Sequence, residues 1–302
     1  MSEKEISRNT SPASVTEIVP ETVYAIGGRI ATDEGLPWLP KNARGLVPFQ
    51  CFALKSQGRF VLIDGGLTVH RSEISAGLVA LVKDTNERAM MITRRDTDAI
   101  INMPWLLRDF GIKKVYLGSG DVSPLDFFES LEHSAAVAQM HVISTYAPAE
   151  WLAPGLKMKI GELEVEFLRT SLRVLSTNWI YESTTKTLFS SDSWAFLTCS
   201  QKLSPLVVQP EANEITTEMI MEFLDVKFDW LRAIDTTAII ADLELIRRRH
   251  IERICPSFGR VIEGRAAVEI VLARTVEALG HMARLPRRSL LTGFDWSCCN
   301  AS

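Results

Sequence analysis

Two carboxylates one residue apart, Asp96 and Asp98, follow a short apolar run and two arginines in the stretch Met91-Ile92-Thr93-Arg94-Arg95-Asp96-Thr97-Asp98. Ahead of a helical pattern, they can cap exposed N–H groups and suit the positive end of the helix dipole. They can also offer oxygen ligands to a hard cation such as Mg²⁺ or Ca²⁺. The neighbouring Arg94 favours ion pairing instead, because a guanidinium is always charged and cannot act as a ligand. Asp64, directly before Gly65-Gly66, reads as a turn or support residue, and Asp192 closes the run Ser190-Ser191-Asp192. The five histidines, His70, His133, His141, His250 and His281, are scattered, with no pair at a ligand spacing such as H-x-H or H-x-x-x-H. Imidazole, a preferred donor for zinc and iron, is therefore absent as a local motif. Cys51 and Cys255 lie in apolar surroundings and read as buried small hydrophobes. The Cys298-Cys299 pair has no neighbouring Cys or His to complete a metal site. Gly118-x-Gly120 is too short a signal for a nucleotide loop, and Arg247-Arg248-Arg249 marks the polar end of a helix.

The elements that carry these residues follow from the spacing of apolar side chains. Residues 1–20 are polar and rich in Ser, Thr and Glu, which predicts a mobile arm. Residues 23–30 read as a strand, and 49–55 with 59–64 as a hairpin turning at Gln57-Gly58. Residues 89–93 are an apolar run too short for a helix and fit a buried strand leading straight into Arg94. A helix is predicted over 100–110 with Gly111 as its C-terminal cap, then a strand over 114–117, a helix over 124–133 and a strand over 141–145. Hairpins follow at 156–168, turning at Gly161-Glu162, and at 179–190, turning at 184–186. The last third reads as helix over 211–233, 235–249 and 265–283, with a short strand at 253–256. Strands alternating with helices predict an α/β sandwich covered by helices, with the folded domain over 21–285 and a tail over 286–302.

Composition narrows the function classes. The chain of 302 residues is 46% hydrophobic and 23% charged, ordinary for a globular protein. Its net charge of -4 gives no basic stripe for nucleic acid, and no apolar run reaches membrane-spanning length. Five cysteines, an odd number, with no apolar signal at the N-terminus point to a reducing, cytoplasmic setting.

Four segments, in order, resemble one family. They are Leu62-Ile63-Asp64-Gly65-Gly66 ending a hairpin, Thr93-x-x-Asp96-x-Asp98 before a helix, Thr187-Leu188-Phe189-Ser190-Ser191-Asp192, and Ile254-Cys255-Pro256-Ser257-Phe258-Gly259. Together they are similar to the metallo-β-lactamase fold, and more narrowly to the di-iron domain of flavodiiron and oxygen-binding di-iron proteins. The resemblance covers residues 21–285 and implies an αβ/βα sandwich, two mixed β-sheets flanked by helices. No flavodoxin-like domain follows in this sequence. In that family the loop after the strand reads T-H-x-E-x-D-H, or T-H-x-H-x-D-H in the zinc hydrolases. In this sequence Arg94 stands at the first His, Asp96 at the Glu or second His, Asp98 at the Asp and Ala99 at the final His. The family's middle metal-binding His falls at or near Arg173, its bridging Asp on Asp192 and its last His on Phe258.

The resemblance by itself implies a di-iron or zinc centre, whereas these replacements imply that the centre is absent. Asp96, Asp98 and Asp192 remain as candidate ligands, and every imidazole is gone. Buried carboxylates without a metal need another counter-charge. Arg94 and Arg173 are expected to supply it as salt bridges, which would make Arg173 a determinant of stability. Trp105, Trp179, Trp194 and Phe258, with His70, are expected near the loops around the former metal pocket. There they could line a site for a small apolar or aromatic ligand, or simply fill the space. A fold keeps its packing when a site decays, so it does not carry activity with it. The expected function is a non-catalytic or regulatory subunit, in a homo- or hetero-dimer or higher oligomer with a metal-competent paralogue, of a hydrolase or an oxygen-handling enzyme. The alternatives are a sensory module binding a small ligand, and a hydrolase or oxidoreductase working through Arg and Asp or a weakly held metal.

Overall fold

Strands that are apolar on both faces must be covered on both sides, and the central strands of this chain are. Along β3 (Leu46–Ser56), which follows β1 (Val15–Val19) and β2 (Val23–Ala31), the pattern is set by period-two alternation. In β3 and β4 (Arg59–Ile63), Phe52, Leu54, Val61 and Ile63 face one core, while Cys51, Ala53, Phe60 and Leu62 face another. The computed structural model describes residues 15–32, 36, 38–118, 147 and 149–284.

The first sheet has the order β1-β2-β3-β4, then β5 (Glu87–Ile92), β6 (Lys114–Gly118) and β7 (Ala149–Leu152). Strands β1 to β4 form an antiparallel meander, and β4 to β7 run parallel. Parallel neighbours need a crossover. Between β4 and β5 it is a 3₁₀ turn (Thr68–His70) and α1 (Arg71–Leu81); between β5 and β6 it is α2 (Thr97–Ile100) and α3 (Met103–Asp109). The second sheet has the order β12 (Val207–Val208), β14 (Val261–Glu263), β13 (Arg253–Pro256), β11 (Thr187–Ser191), β10 (Asn178–Glu182), β9 (Leu163–Arg169), β8 (Lys157–Ile160). Its outer face packs against α4 (Thr217–Lys227), a 3₁₀ turn (Asp229–Ala233), α5 (Thr237–Arg247) and α6 (Arg265–Met282). Phe52, Leu54, Val61, Ile63 and Met91 of the first sheet meet Phe167, Ile180, Phe189 and Cys255 of the second in the layer between them. This is the αβ/βα sandwich expected from the sequence.

The sandwich is tied at both ends, by different means. At one end backbone groups bond across the sheets: Asn178 N–H donates to Thr93 O (2.8 Å), Gln50 N–H to Ser257 O (2.9 Å) and Gly259 N–H to Pro48 O (2.8 Å). At the other, the turns touch through exposed side chains, Gln57 Nε2 donating to Glu162 Oε1 (2.7 Å) and Glu162 N–H to Ser56 Oγ (3.1 Å).

The structure differs from expectation in several places. The predicted arm over residues 1–20 is too long, because Val15–Val19 pair with β2 and bury Ile18. The helix over 100–110 is two short helices parted at Asn102, a buried residue whose Nδ2 donates to Gly65 O (3.1 Å) and Gly66 O (2.9 Å). The helix over 211–233 starts at Thr217, whose preceding Thr216 caps Met219 N–H (3.2 Å), and ends in a 3₁₀ turn. Helix α1 and strands β7, β12 and β14 have no counterpart in the sequence reading. The helix over 124–133, the strand over 141–145, His133, His141, Cys298-Cys299 and the tail over 286–302 lie outside the described residues. Among the described residues no helix is long and apolar enough to cross a membrane.

Asn102 makes the fold around Asp64 testable. Its amide also accepts from Arg71 Nε (2.8 Å), so Asn102→Ala leaves two buried carbonyls and a guanidinium N–H without that partner. The expected loss is about 1–3 kcal/mol in urea unfolding.

Candidate functional site

Strand β5 ends where the first sheet meets the second, and its continuation delivers Thr93 and Arg94 into the interior. Arg94 pairs with Thr177 in an isolated antiparallel bridge, which fixes its backbone against the second sheet. Its side chain, only 3% exposed as a residue, then reaches a cluster of carboxylates drawn from three chain segments. Nη2 donates to both oxygens of Asp98, at 2.5 and 2.6 Å, and Nη1 to the hydroxyls of Ser191 (2.8 Å) and Ser257 (3.1 Å). Further carboxylate oxygens stand close by: Asp96 at 3.7 Å and Asp192 at 3.8 Å from Nε, and Asp64 at 3.9 Å from Nη1. Burial on its own would lower the Arg94 pKa, but Asp98, Asp192, Asp64 and Asp96 outweigh it and raise the pKa, so the guanidinium is charged.

The helix-start reading of the paired carboxylates holds locally. Asp96 is the N-cap of α2, its Oδ1 accepting from Thr97 N–H (2.7 Å), and Asp98 lies in the first turn. Asp64 Oδ1 accepts from Thr93 N–H (2.8 Å), and Oδ2 accepts from the hydroxyls of Thr93 (2.7 Å) and Ser257 (3.2 Å). Desolvation nonetheless pushes its pKa up to about 6, against the lowering effects of Arg94 and Thr93. Asp64, Ser191 and Trp194 all hold positive φ, at 60°, 57° and 61°. That left-handed backbone is strained for residues other than glycine and concentrates at sites the surrounding packing must enforce.

The second cation is Lys227, not Arg173. Arg173 is half-buried and forms no ion pair among the described residues, so the expected pairing of Arg173 with the aspartates is corrected here. Lys227, the last residue of α4, instead brings Nζ to 3.1 Å from Asp192 Oδ2, with its side chain 10% exposed. The ammonium also lies 5.4 Å from the ring centroid of Phe258 and 5.8 Å from that of Trp38, within cation–π range. Phe258, at the position of the family's last His, is stacked on Phe49 (5.5 Å, 22°), and Trp38 meets both rings edge-on. Among the described residues, Arg94 Nε, Asp192 Oδ1, Trp38 Nε1 and Gln50 Oε1 of this region are buried without a hydrogen-bond partner.

The remaining candidates scatter. Ala99 is buried in the outer core of the first sheet with Met90, Met103 and Leu106. Trp179 and Trp194 pack on each other at 4.9 Å, with Nε1 atoms donating to Ser193 (3.3 Å) and Thr275 (2.9 Å). At 0% and 2% exposure neither faces a space that water could enter, so they fill core rather than line an open pocket. Trp105 stands apart, edge-on to Phe110 (5.3 Å, 90°) with the Arg71 guanidinium over its ring. His70 is buried against Gly28, where an added Cβ would come within 2.2 Å of Nδ1, and desolvation lowers its pKa. No hydrogen bond or ion pair among the described residues ties His70 to the aspartates.

The donor set does not fit a di-iron or dizinc centre. Such a centre needs imidazole beside carboxylate and lone pairs free to coordinate. Among the described residues no histidine joins the cluster, Arg94 binds both oxygens of Asp98, and Lys227 binds Asp192. Among the described residues no group of three or more His, Cys, Asp or Glu is arranged to hold a metal ion.

No family model matches the sequence, and no curated protein sequence matches it. Solved structures do resemble it. A mutant of the flavo di-iron protein from Thermotoga maritima aligns with a TM-score of 0.63 at 15% identity, over 88% of this chain and 61% of that one. Rubredoxin oxygen:oxidoreductase from Desulfovibrio gigas gives 0.59 at 15% identity, over 88% and 61%. The flavodiiron protein from Giardia intestinalis gives 0.60 at 16% identity, over 90% and 60%. The chain thus has the metallo-β-lactamase fold in its flavodiiron-like form. It spans about three fifths of the length of these structures, and at such identities the likeness is one of fold.

Arg94→Ala takes from Asp98 its counter-charge and from Ser191 and Ser257 a buried donor, and should lose about 3–5 kcal/mol in urea unfolding, whereas Arg173→Ala should stay within about 0.5 kcal/mol of wild type. Asp64 has a folded-state pKa near 6, above its unfolded value of 3.8. Between those values the folded state binds the proton more tightly, so the stability Asp64 contributes is full below about pH 4 and is lost as pH rises through 6. The stability of wild type relative to Asp64→Asn should therefore fall over that window and level off above it, as read by urea midpoints across pH 4–8.

Proposed function

We propose that this chain is a metal-free, non-catalytic member of the metallo-β-lactamase fold that acts as a partner or regulatory subunit of a metal-bearing chain of the same fold. The observation that carries this reading is the occupation of the carboxylate cluster by the chain's own cations, Arg94 on Asp98 and Lys227 on Asp192. Catalysis through these residues is disfavoured by their enclosure. Arg94, Asp64 and Asp192 are buried among one another, which turns the guanidinium fork and these two carboxylates away from a substrate in solvent. A ligand-binding role is disfavoured by the tight packing of Trp179 and Trp194. The fold resemblance supports a metal-bearing partner of the same fold, a hydrolase or an oxygen-handling enzyme.

A reducing, cytoplasmic setting belongs to the same reading. Cys51, Cys199 and Cys255 are free thiols within the fold. Burial, with Asp64 adding to it, pushes the Cys51 thiol up to about 12, so it is an unreactive core residue.

The test is purification without chelator, elemental analysis and turnover assays on the isolated chain, then co-expression with a metal-bearing chain of the same fold and native mass spectrometry. The expected result is substoichiometric iron, zinc and manganese, no turnover, and a mixed oligomer. Stoichiometric metal or turnover by the isolated chain overturns the metal-free reading, and an exclusively homomeric protein overturns the subunit role.

A further inference from the structure

The end of α4 presents a cation to a site already walled for one. Lys227 Nζ is 3.1 Å from Asp192 Oδ2 and over the faces of Phe258 and Trp38. A carboxylate with two aromatic faces is the chemistry that recognises an organic ammonium. The C-terminal end of α4, an 11-residue helix, adds the negative end of its dipole. Asp192, almost fully buried, keeps Oδ1 without a partner, and Trp38 Nε1 is likewise unpartnered. Charge points the same way, because among the described residues Asp64, Asp96, Asp98 and Asp192 face only Arg94 and Lys227 as cations. Four carboxylates already outnumber these two cations, and removing Lys227 widens an excess that another cation in its place would relieve.

We propose that Asp192, Trp38 and Phe258 form an ammonium site that Lys227 occupies as an internal ligand, and that a small primary alkylammonium takes the same place when the lysine side chain is removed. Lys227 thus acts through its charge rather than through the packing of its methylenes. In the wild-type chain the tethered ammonium holds the site at high effective concentration, so a free amine does not displace it. The inference rests on the reading of a carboxylate cluster occupied by the chain's own cations.

Thermal unfolding of the full chain in ethylammonium chloride, with sodium chloride at equal ionic strength as control, tests it. Lys227→Ala should lower Tm by about 5–10 °C. Ethylammonium should restore part of that loss saturably, sodium should not, and neither wild type nor Lys227→Ala/Asp192→Asn should respond. A Lys227→Ala protein indifferent to ethylammonium overturns the proposal. Should Lys227→Ala fail to fold, the double variant Lys227→Met/Asp192→Asn decides. It should be more stable than either single variant, and strictly additive losses overturn the proposal. Bound metal in wild type would sink the metal-free reading, whereas an absent ammonium response in a metal-free protein sinks this inference alone.

Discussion

Arg94 carries a permanent charge into the interior, and the segments around it are arranged to make that tolerable. A buried ion loses several kcal/mol of hydration that only well-placed partners return. Asp98 gives both oxygens to one guanidinium nitrogen, and Ser191 and Ser257 give hydroxyls to another. Asp98 comes from α2, Ser191 from the end of β11 and Ser257 from the turn after β13, so one side chain holds three separate segments in register. Asp64 joins from the end of β4 through Thr93 and Ser257. A metal centre would draw the same segments together through coordination bonds; here hydrogen bonds to a cation do so.

The backbone around the cluster is held in strained turns. Asp64, Ser191 and Trp194 retain left-handed φ angles that cost energy in residues bearing a Cβ. Tight packing makes this persistence intelligible. Gly259 approaches Ala195 so closely that a Cβ there would stand 2.9 Å from its carbonyl carbon, and Asn102 clamps the carbonyls of Gly65 and Gly66. Relaxing a single strained turn would displace all of these neighbours. Chemistry can therefore change at the side chains while the loops that present them stay as they are.

Much of this was legible in the sequence because the central strands are buried on both faces and read as continuous apolar runs, such as Met90-Met91-Ile92. The pairing of Arg94 with the aspartates was legible for a related reason: an arginine within a carboxylate motif has few other partners. Helix α1 was not, since its apolar stripe of Ile74, Leu78 and Leu81 is interrupted by exposed Val79 and by Gly77, and no side chain caps its start. Gly77 is required by contact, as an added Cβ would lie 2.6 Å from Ile26 and 2.8 Å from Val15. Strands β12 and β14 are two and three residues long, too short for any periodicity. Lys227 gave no local signal, because a lysine ending an amphipathic helix is ordinary and its contact with Asp192 exists only once α4 docks. Arg173 was misplaced because its position came from motif alignment, which fixes the order of residues but not the direction of a side chain in a loop.

The two ties across the sandwich differ in how readily water can compete for them. Amide bonds such as Gln50 to Ser257 and Asn178 to Thr93 lie beside the charge cluster, shielded from solvent. The turn-to-turn contacts of Gln57 and Ser56 with Glu162 lie in solvent, where water can replace each partner at little loss. The sheets consequently have a fixed end and a loose one. Parting the sheets at the turns therefore costs less than parting them at Arg94, where buried amide bonds and a buried charge must be exposed together.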